Sequence, residues 1–316
     1  MAEQTIPVVD VRDWDQAGAA RERFVQELGA SLEDTGFFAI THHGVDSGLI
    51  KRAYGEAHKL FVEQTEATKR RYEDPALKGQ RGYVSFGKEH AKGSRAPDLK
   101  EFWHVGQELA AGHRLNSVYG KNLWPSELPD FKPVMLQLFG QLEACAKKLL
   151  EACALYLGES QDFMSAMVDE GDTILRIIHY PPIAPDRDPA SVRAAAHEDI
   201  NLITLLCEST DEGLELLQRD GTWRPIHALQ GQIIVDAGDM LQHLTNGAFK
   251  STTHRVVNPG NDRARRYSMP FFVHPRGEVD LTPRPSCVQR TGGAPRFPHR
   301  TAREYLLERL REIGLA

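Results

Sequence analysis

The chain has 316 residues, 41% of them hydrophobic, with a formal net charge of −6 and an isoelectric point near 6.1. Its longest basic block is Lys69-Arg70-Arg71, so a nucleic-acid or anionic-membrane partner is not expected. No apolar run reaches membrane-spanning length and the first residues lack a signal-peptide pattern, so we expect a cytoplasmic protein acting on a small molecule, as a monomer or weak homo-oligomer.

The first half of the chain predicts short strands that alternate with helices. Strands are predicted at residues 6–9 and 36–40, because both are short apolar runs. Helices are predicted at residues 21–32, 48–62 and 133–157, where apolar residues recur at three- and four-residue spacing. This half therefore indicates a helical or mixed region.

A polar, glycine-bearing segment, residues 79–98, predicts a mobile loop or irregular strand that could border a pocket. We expect its cations to be solvated rather than to bind an anionic substrate. They are Arg81, Lys88, Lys92 and Arg95. Further pocket candidates, most of them expected to be packing residues, are Tyr83, Phe86, His90, Trp103, His104, Phe271, Phe272 and His274. Since adjacent strand residues point to opposite faces, at most one of Phe271 and Phe272 should touch substrate.

The second half of the chain predicts a β-rich core. Strands are predicted at residues 174–180, 202–207, 214–218, 223–226, 232–236, 251–257 and 266–273. Asp220-Gly221 is a hairpin signal between two of them. Many short strands without alternating helices predict an antiparallel barrel or jelly roll. A loop at residues 283–298 and a helix at residues 301–313 are predicted to close the chain.

These elements predict a mainly β fold with helical additions, organised as one structural unit. We expect an N-terminal helical or mixed region at residues 1–165, a β core at residues 166–282, and a C-terminal loop and helix at residues 283–316. The four cysteines, which form no C-x-x-C pair, are expected to be buried, reduced core thiols rather than nucleophiles. They are Cys145, Cys153, Cys207 and Cys287.

A metal site is indicated by His197 and Asp199, with His254 as a third ligand. In a strand, His197 and Asp199 would point to the same face, and His254 comes from a distant predicted strand. Two histidines and a carboxylate, with open positions, are the ligands of mononuclear non-haem Fe(II) oxygenases. A lone H-x-D is common by chance, and these residues could instead be ordinary polar groups at strand ends.

A carboxylate clamp is indicated by Arg266 and Ser268, again two residues apart on a predicted strand. A guanidinium binds a carboxylate through two parallel hydrogen bonds, and the nearby hydroxyl can add a third. Tyr180 could supply a second hydroxyl from a neighbouring strand. The simpler alternatives are a surface salt bridge for Arg266 and a core aromatic role for Tyr180.

Ordered phrases along nearly the whole chain resemble the isopenicillin N synthase-like branch of the Fe(II)/2-oxoglutarate-dependent dioxygenases. The phrases are Ile6-Pro7-Val8-Val9-Asp10, Gly36-Phe37-Phe38, His43-Gly44-Val45, Gly82-Tyr83, Asp98-Leu99-Lys100-Glu101, Tyr180-Pro181-Pro182, His197-Glu198-Asp199, Gly213-Leu214-Glu215-Leu216, Gly238-Asp239, Thr245-Asn246-Gly247, Ser251-Thr252-Thr253-His254-Arg255-Val256 and Arg266-Tyr267-Ser268-Met269-Pro270-Phe271-Phe272.

The resemblance implies a double-stranded β-helix and an enzyme that uses Fe(II), 2-oxoglutarate and dioxygen. It implies iron ligands His197, Asp199 and His254, and 2-oxoglutarate held by Arg266 and Ser268. Tyr180 looks like the additional co-substrate tyrosine of the family. The implied reaction hydroxylates, desaturates or cyclises a small organic metabolite, with release of succinate and carbon dioxide.

Two alternatives remain inside the resemblance, and two outside it. Isopenicillin N synthase itself keeps the Arg-x-Ser pair without using 2-oxoglutarate, and ethylene-forming enzymes break down 2-oxoglutarate itself. A zinc hydrolase could use the same three ligands but has no need of the clamp. A non-catalytic binding homologue would be expected to have lost a ligand or the clamp. Metal analysis and oxygen consumption would separate these last two from an oxygenase.

Overall fold

Thirteen strands and nine helices are present in the part of the chain that the computed structural model describes, which is residues 6–89, 97–183, 191–207, 209–210, 212–226, 231–258 and 263–312. The strands are β1 Val8–Asp10, β2 Phe37–Thr41, β3 Gly82–Val84, β4 Glu101–Gly106, β5 Ile174–Tyr180, β6 Ala194–His197, β7 Ile203–Cys207, β8 Leu214–Leu217, β9 Trp223–Pro225, β10 Ile233–Ala237, β11 His254–Val256, β12 Arg266–Ser268 and β13 Pro270–Val273.

The helices lie mostly before the β core. They are α1 Ala19–Asp34, α2 Ser47–His58, α3 Glu66–Arg70, α4 Asn116–Tyr119, α5 Phe131–Tyr156, α6 Ser165–Val168, α7 Asp239–Leu244, α8 Pro285–Arg290 and α9 Ala302–Glu312. A π-helical turn, Lys59–Glu63, continues α2. None of the described helices combines the length and the apolar character needed to cross a bilayer.

Two sheets form the β core. The larger has the order β1-β2-β10-β7-β13-β5-β4-β3, with β12 also paired to β5, and the smaller has the order β6-β11-β8-β9. Apolar side chains of both sheets form one cluster, in which Phe37 and Ile234 meet Leu216 and Val256. The sheets therefore pack face to face, as a jelly roll requires.

Helix α5 covers the other face of the larger sheet. Its apolar residues recur every three or four positions, so they share one side of the helix, and Phe139 meets Phe271 of β13 at a ring-centroid distance of 4.9 Å. Helices α1 and α2 also pack against α5. Each large apolar side chain buried in this way stabilises the fold by about 1.5–3 kcal/mol.

Most predicted elements are confirmed, with shifted ends. The predicted strand at residues 174–180 matches β5, and the long predicted helix matches α5 within two residues. The Asp220-Gly221 turn joins β8 to β9, with the Gly221 amide donating to the Gln218 carbonyl. Gly221 has a φ of 84°, which glycine adopts without steric cost.

Two predicted elements are wrong, and one strand was not predicted. The predicted strand at residues 266–273 is divided between β12 and β13 at Met269, because β12 pairs only with β5 whereas β13 also pairs with β7. Part of the predicted loop at residues 283–298 forms α8, which begins with Pro285 at a favourable first-turn position. Strand β4 was not predicted, because it carries buried Glu101 and His104 among its apolar residues.

The expectation that the cations of residues 79–98 are solvated is wrong for Arg81. Arg81 is 1% exposed and its Nη2 lies 3.1 Å from Asp172 Oδ1. A carboxylate partner rather than water therefore compensates its charge. Lys88 is exposed, as predicted, and pairs with Glu73. The predictions for His90, Lys92 and Arg95 lie outside the described residues.

Candidate active site

Two histidines face each other across neighbouring strands of the smaller sheet. His197 at the end of β6 lies opposite His254 at the start of β11, with ring centroids 4.4 Å apart. His197 Nδ1 lies 2.7 Å from the Ala195 carbonyl and His254 Nδ1 lies 3.2 Å from the Thr252 carbonyl. Each Nδ1–H can therefore donate to the backbone, which leaves each Nε2 with a lone pair for a metal.

Asp199 completes the cluster from the loop after β6. Its Oδ1 lies 3.8 Å from His197 Nε2 and 3.7 Å from His254 Nε2, while its Oδ2 accepts a hydrogen bond from the Thr204 hydroxyl. One ligand atom from each of the three residues lies within 4.8 Å of the others. The expectation that Asp199 continues the strand of His197 is wrong, because β6 ends at His197.

The loop that carries Asp199 is held by the start of α7. The Asp239 amide donates to the Asp199 carbonyl at 2.7 Å, and the Gly238 amide donates to the Leu202 carbonyl at 2.9 Å. A Cβ at position 238 would lie 2.3 Å from the Asn201 carbonyl oxygen, so only glycine allows this approach. Backbone contacts thus give the loop the rigidity that a strand would have provided.

The electrostatics of the cluster suit a cation. Burial and the neighbouring His254 lower the pKa of His197 to about 4, so the imidazole is neutral near pH 7. Burial and the Asp199 carboxylate raise the pKa of Asp236 well above its usual value. Two imidazole nitrogens with one carboxylate oxygen fit a divalent first-row metal such as Fe(II).

The predicted carboxylate clamp lies beside this cluster. Arg266 pairs in register with Tyr180 of β5, and its guanidinium carbon lies 5.0 Å from the centroid of the tyrosine ring. Arg266, Ser268 and Tyr180 are each at most 3% exposed, which excludes the alternative of a surface salt bridge for Arg266. An inner cavity is lined by these three residues and by His197, Asp199 and His254.

An outer cavity adjoins the inner one and is also lined by His197 and Asp199. It shares Lys100, Arg176 and Phe272 with the inner cavity and extends to His104 and to α9. The residues of α9 that line it are Leu306, Arg309, Leu310 and Glu312. The outer cavity therefore offers room for a second molecule next to the candidate metal site.

The predicted pocket residues separate into three groups. His104, Phe272 and His274 line the outer cavity, whereas Phe271 packs on α5, so the predicted alternation of the two phenylalanines is confirmed. Trp103 and Tyr83 are buried away from both cavities. Trp103 packs on Phe131, and the hydroxyl of Tyr83 donates to Glu101. Phe86 is exposed.

Sequence reasoning missed the charged residues of the cavity wall. Lys100 and Arg176 line both cavities, and Glu89 and Asp98 line the outer one. Arg176 carried a usable signal, because it interrupts the apolar run of residues 174–178 in strand β5. The carboxylates lie far from Arg176 in sequence, so only the folded chain brings them together.

Two family profiles match the chain. The one described as "non-haem dioxygenase in morphine synthesis N-terminal" matches residues 6–127, and the one described as "2OG-Fe(II) oxygenase superfamily" matches residues 171–275. A curated relative, the 2-oxoglutarate-Fe(II) type oxidoreductase hxnY of Emericella nidulans, is 31% identical. The alignment covers 94% of this chain and 87% of that protein.

The chain is also similar to solved structures of 2OG-Fe(II) oxygenases. A putative 2OG-Fe(II) oxygenase family protein from Caulobacter crescentus is 40% identical, with a TM-score of 0.87 and coverage of 98% of this chain and 99% of that chain. A full-length Neurospora crassa protein, solved in complex with alpha-KG, is 26% identical, with a TM-score of 0.85 and coverage of 98% of this chain and 97% of that chain. The same Neurospora protein has also been solved with alpha-KG and thymine together.

Proposed function

Because this chain belongs to the 2OG-Fe(II) oxygenase superfamily, we propose that His197, Asp199 and His254 bind its iron and that Arg266 and Ser268 bind its 2-oxoglutarate. The enzyme is a dioxygenase that uses Fe(II), 2-oxoglutarate and dioxygen to oxidise a small organic molecule. Its fold is the jelly-roll double-stranded β-helix of that superfamily, as the sequence predicted.

One observation carries the residue assignment. The three candidate ligands and the Arg266 and Ser268 pair line the same inner cavity, so one molecule can reach both the metal and the guanidinium. A keto acid with a second carboxylate suits this cavity, because its keto acid end can bind the metal while the second carboxylate pairs with Arg266. The comparisons do not favour a 2-oxoglutarate-independent oxidase or an ethylene-forming enzyme, since the relatives are named for 2-oxoglutarate.

The residues around the inner cavity would bind the keto acid, fix its orientation and keep water out of the site. Arg266 is buried, so its attraction to a carboxylate is weakened little by solvent, and its planar fork fixes the direction of the bound acid. The Ser268 hydroxyl can donate one more hydrogen bond, and Tyr180 another. When bound, iron brings the keto acid and dioxygen together for oxidation of the substrate. The backbone bonds to both Nδ1 atoms keep each Nε2 directed at the metal.

The test is an anaerobic titration of the metal-free protein with Fe(II) and then with 2-oxoglutarate. A chelated keto acid should produce a visible metal-to-ligand charge-transfer band, which should weaken in Arg266→Ala. Iron binding without the band would contradict the co-substrate assignment. Failure to bind iron would contradict the ligand assignment.

We also propose a cellular compartment and an oligomeric state for the enzyme. A cytoplasmic enzyme is supported by the four cysteines, which are all buried and free, as reduced core thiols are. Burial raises the pKa of each thiol, so none is an activated nucleophile. We propose a monomer or weak homo-oligomer without a nucleic-acid partner, which light scattering at several protein concentrations would test.

A further inference from the structure

The wall of the outer cavity nearest the metal ligands is built by one face of three neighbouring strands. His104 of β4 lies opposite Arg176 of β5 in register, and Phe272 of β13 lies beside them, with Lys100 just before β4. This polar wall, defined by Lys100, His104, Arg176 and Phe272, also borders the inner cavity through Lys100, Arg176 and Phe272. A molecule in the outer cavity would therefore contact the polar wall while lying next to the metal ligands.

The cations of the polar wall already have carboxylate partners. Lys100 Nζ lies 2.7 Å from Glu89 Oε1 and 2.8 Å from Asp98 Oδ2, and Arg176 Nη1 lies 3.0 Å from the same Glu89 oxygen. All four side chains are mostly buried. The two cations lower the pKa of Glu89, and the two carboxylates raise the pKa of Lys100. Two positive and two negative charges thus cancel at this wall.

The remaining cation in the outer cavity is also paired. Arg309 of α9 places Nη2 at 3.4 Å from Asp239 Oδ2 and Nη1 at 2.5 Å from Glu312 Oε2. Among the described residues that line this cavity, no cation lacks a carboxylate partner. An anionic substrate would lose its hydration here without gaining an unused positive charge.

Arg176 nevertheless keeps hydrogen-bonding capacity toward the cavity. Its Nε donates to His104 Nε2 at 2.6 Å, and Nη1 donates to Glu89. His104 accepts in its neutral form, since its Nδ1–H donates to the Gly79 carbonyl at 2.6 Å. The guanidinium carries five N–H donors, and the contacts found among the described residues use Nε and Nη1. Within the described residues Nη2 has no hydrogen-bond partner, so it can donate to a ligand.

Aromatic rings fix the plane of this guanidinium. Its carbon lies 4.3 Å from the Phe102 ring centroid and 5.2 Å from the Phe272 centroid. Arg176 is thus restrained by two rings, an imidazole and a carboxylate, so little rotamer freedom is left to lose when a ligand binds. Such restraint is typical of a residue that orients a ligand.

We propose that the substrate is an uncharged molecule whose hydrogen-bond acceptor is bound by Arg176, with its apolar part against Phe272. The proposal rests on the proposed function, because it assumes that the outer cavity beside the metal ligands receives the substrate. Glu89 and His104 act as positioning residues for Arg176. A carbonyl group, as in an amide or a lactam, has the required acceptor without a charge.

The test uses three probes of nearly equal size that differ in charge, namely benzamide, benzoate and benzamidine. Each is titrated anaerobically into the protein loaded with Fe(II) and saturating 2-oxoglutarate. Binding is measured by the change in the visible charge-transfer band and by the shift in unfolding temperature. We expect benzamide to bind at least about tenfold more tightly than benzoate or benzamidine, since only benzamide offers an acceptor without an uncompensated charge.

Two substitutions test the charge balance directly. In Glu89→Gln the wall keeps Lys100 and Arg176 but loses one carboxylate charge, so the affinity for benzoate should rise about tenfold. In Arg176→Gln the affinity for benzamide should fall about tenfold, because a charge-assisted donor is lost. Glu215→Gln is the matched control, since Glu215 pairs with Arg255 on the smaller sheet and lines neither cavity.

The outcomes separate this proposal from the assignment of the cofactor sites. Absence of the charge-transfer band before any probe is added would contradict the cofactor assignment. A normal band with benzoate or benzamidine as the tightest probe, or with none of the three probes bound, would overturn only the substrate proposal. If Glu89→Gln does not fold, Arg176→Gln decides alone, and an unchanged affinity for benzamide in that variant would also overturn it.

Discussion

Single hydrogen bonds decide which histidine nitrogens face the candidate metal site. His197 and His254 each place Nδ1 near the carbonyl of the residue two positions earlier, so the backbone orients both rings with Nε2 directed away from that carbonyl. The Thr204 hydroxyl performs the same task for Asp199, by occupying the oxygen that faces away from the histidines. Orientation of the donor atoms is therefore complete before a metal binds.

Removing a ligand should abolish turnover. We expect His197→Ala to lose more than the roughly 10- to 100-fold in activity that follows loss of a residue that only orients a ligand. Iron content and succinate release would measure this, with His299→Ala as the control, because His299 is largely exposed. Full activity in His197→Ala would refute the assignment.

Removing the clamp should affect mainly the co-substrate. In Arg266→Ala we expect the KM for 2-oxoglutarate to rise roughly 10- to 100-fold, the equivalent of one lost charge-assisted hydrogen bond. The matched control is Arg265→Ala, since this adjacent arginine is exposed and contacts His179 instead. Equal effects in both variants, measured by initial rates, would contradict the prediction.

Buried His104 should make stability depend on pH. Burial and Arg176 hold its pKa well below 6.5, so below about pH 6.5 the unfolded chain takes up a proton that the folded chain does not. The contribution of neutral His104 to the free energy of unfolding is therefore complete above about pH 6.5. It is lost as the pH falls below that value, at about 1.4 kcal/mol per pH unit.

The comparison uses urea unfolding of the wild type and His104→Gln. Between about pH 7 and about pH 5.5, the variant should lose roughly 1 kcal/mol less unfolding free energy than the wild type, because it lacks this titrating group. His299→Gln, at an exposed position, should behave like the wild type. An identical pH dependence in His104→Gln would count against the prediction.

Alternate residues of the same strands line both cavities. Along β12 and β13, alternate residues from Arg266 to Phe272 line the inner cavity, and Phe272 and His274 line the outer one. Antiparallel β5 repeats the pattern, with Tyr180 at the inner end and Arg176 at the outer end. The proposed co-substrate and substrate sites would therefore occupy successive positions on the same strands.

The start of α7 should control the metal site through Gly238. In Gly238→Ala the new Cβ would collide with the Asn201 carbonyl, so we expect a loss of about 1–3 kcal/mol in unfolding free energy. The displaced Asp199 loop should also weaken iron binding by about tenfold. Calorimetry and iron titration would measure the two effects.

Gly140 provides a matched control for Gly238, because the same change from glycine to alanine causes no collision there. Gly140 lies inside α5, and a Cβ added there would meet open space, so Gly140→Ala should stabilise the protein by about 0.5–1 kcal/mol. It should also leave iron affinity unchanged. A similar loss of iron affinity in both variants would refute the proposed role of Gly238.

At the scale of the whole molecule, the N-terminal half completes the larger sheet. Strand β2 pairs with β10, and β4 pairs with β5 over six residues. These pairings cross the boundary predicted near residue 165. The elements before the β core therefore supply hydrogen bonds that the core strands would otherwise lack.

Separation of the two halves should abolish folding. We propose that residues 1–165 and 166–316 behave as one cooperative unit. A fragment of residues 166–316 should lack a cooperative thermal transition, because β5 and β10 would lose their partners. Circular dichroism of the fragment and of the full chain would measure this. An independent cooperative transition in the fragment would contradict it.

The candidate residues of the site could be selected from the sequence, although strand geometry holds for only one of the two pairs. Arg266 and Ser268 lie two residues apart on β12, as predicted, whereas Asp199 lies in the loop after β6. The support for Asp199 was not predictable. The contacts that hold its loop come from Gly238 and Asp239, which are distant in sequence.

The elements were predictable where hydrophobic periodicity is strong, as in α5 and β5, because an apolar face must be buried. Strand β4 was missed since Glu101 and His104 interrupt its apolar pattern. Their burial depends on partners elsewhere in the fold, Lys69 for the carboxylate and Arg176 for the imidazole.

The class of fold, the candidate metal ligands and the proposed carboxylate clamp could be inferred from residue type and short-range spacing alone. The environment of the outer cavity could not be inferred in this way, because it arises from contacts in the folded chain. The pairing of Glu89 with Lys100 and Arg176 joins three separate parts of the chain. Whether a buried charge is compensated depends on distances in space, which local sequence does not specify.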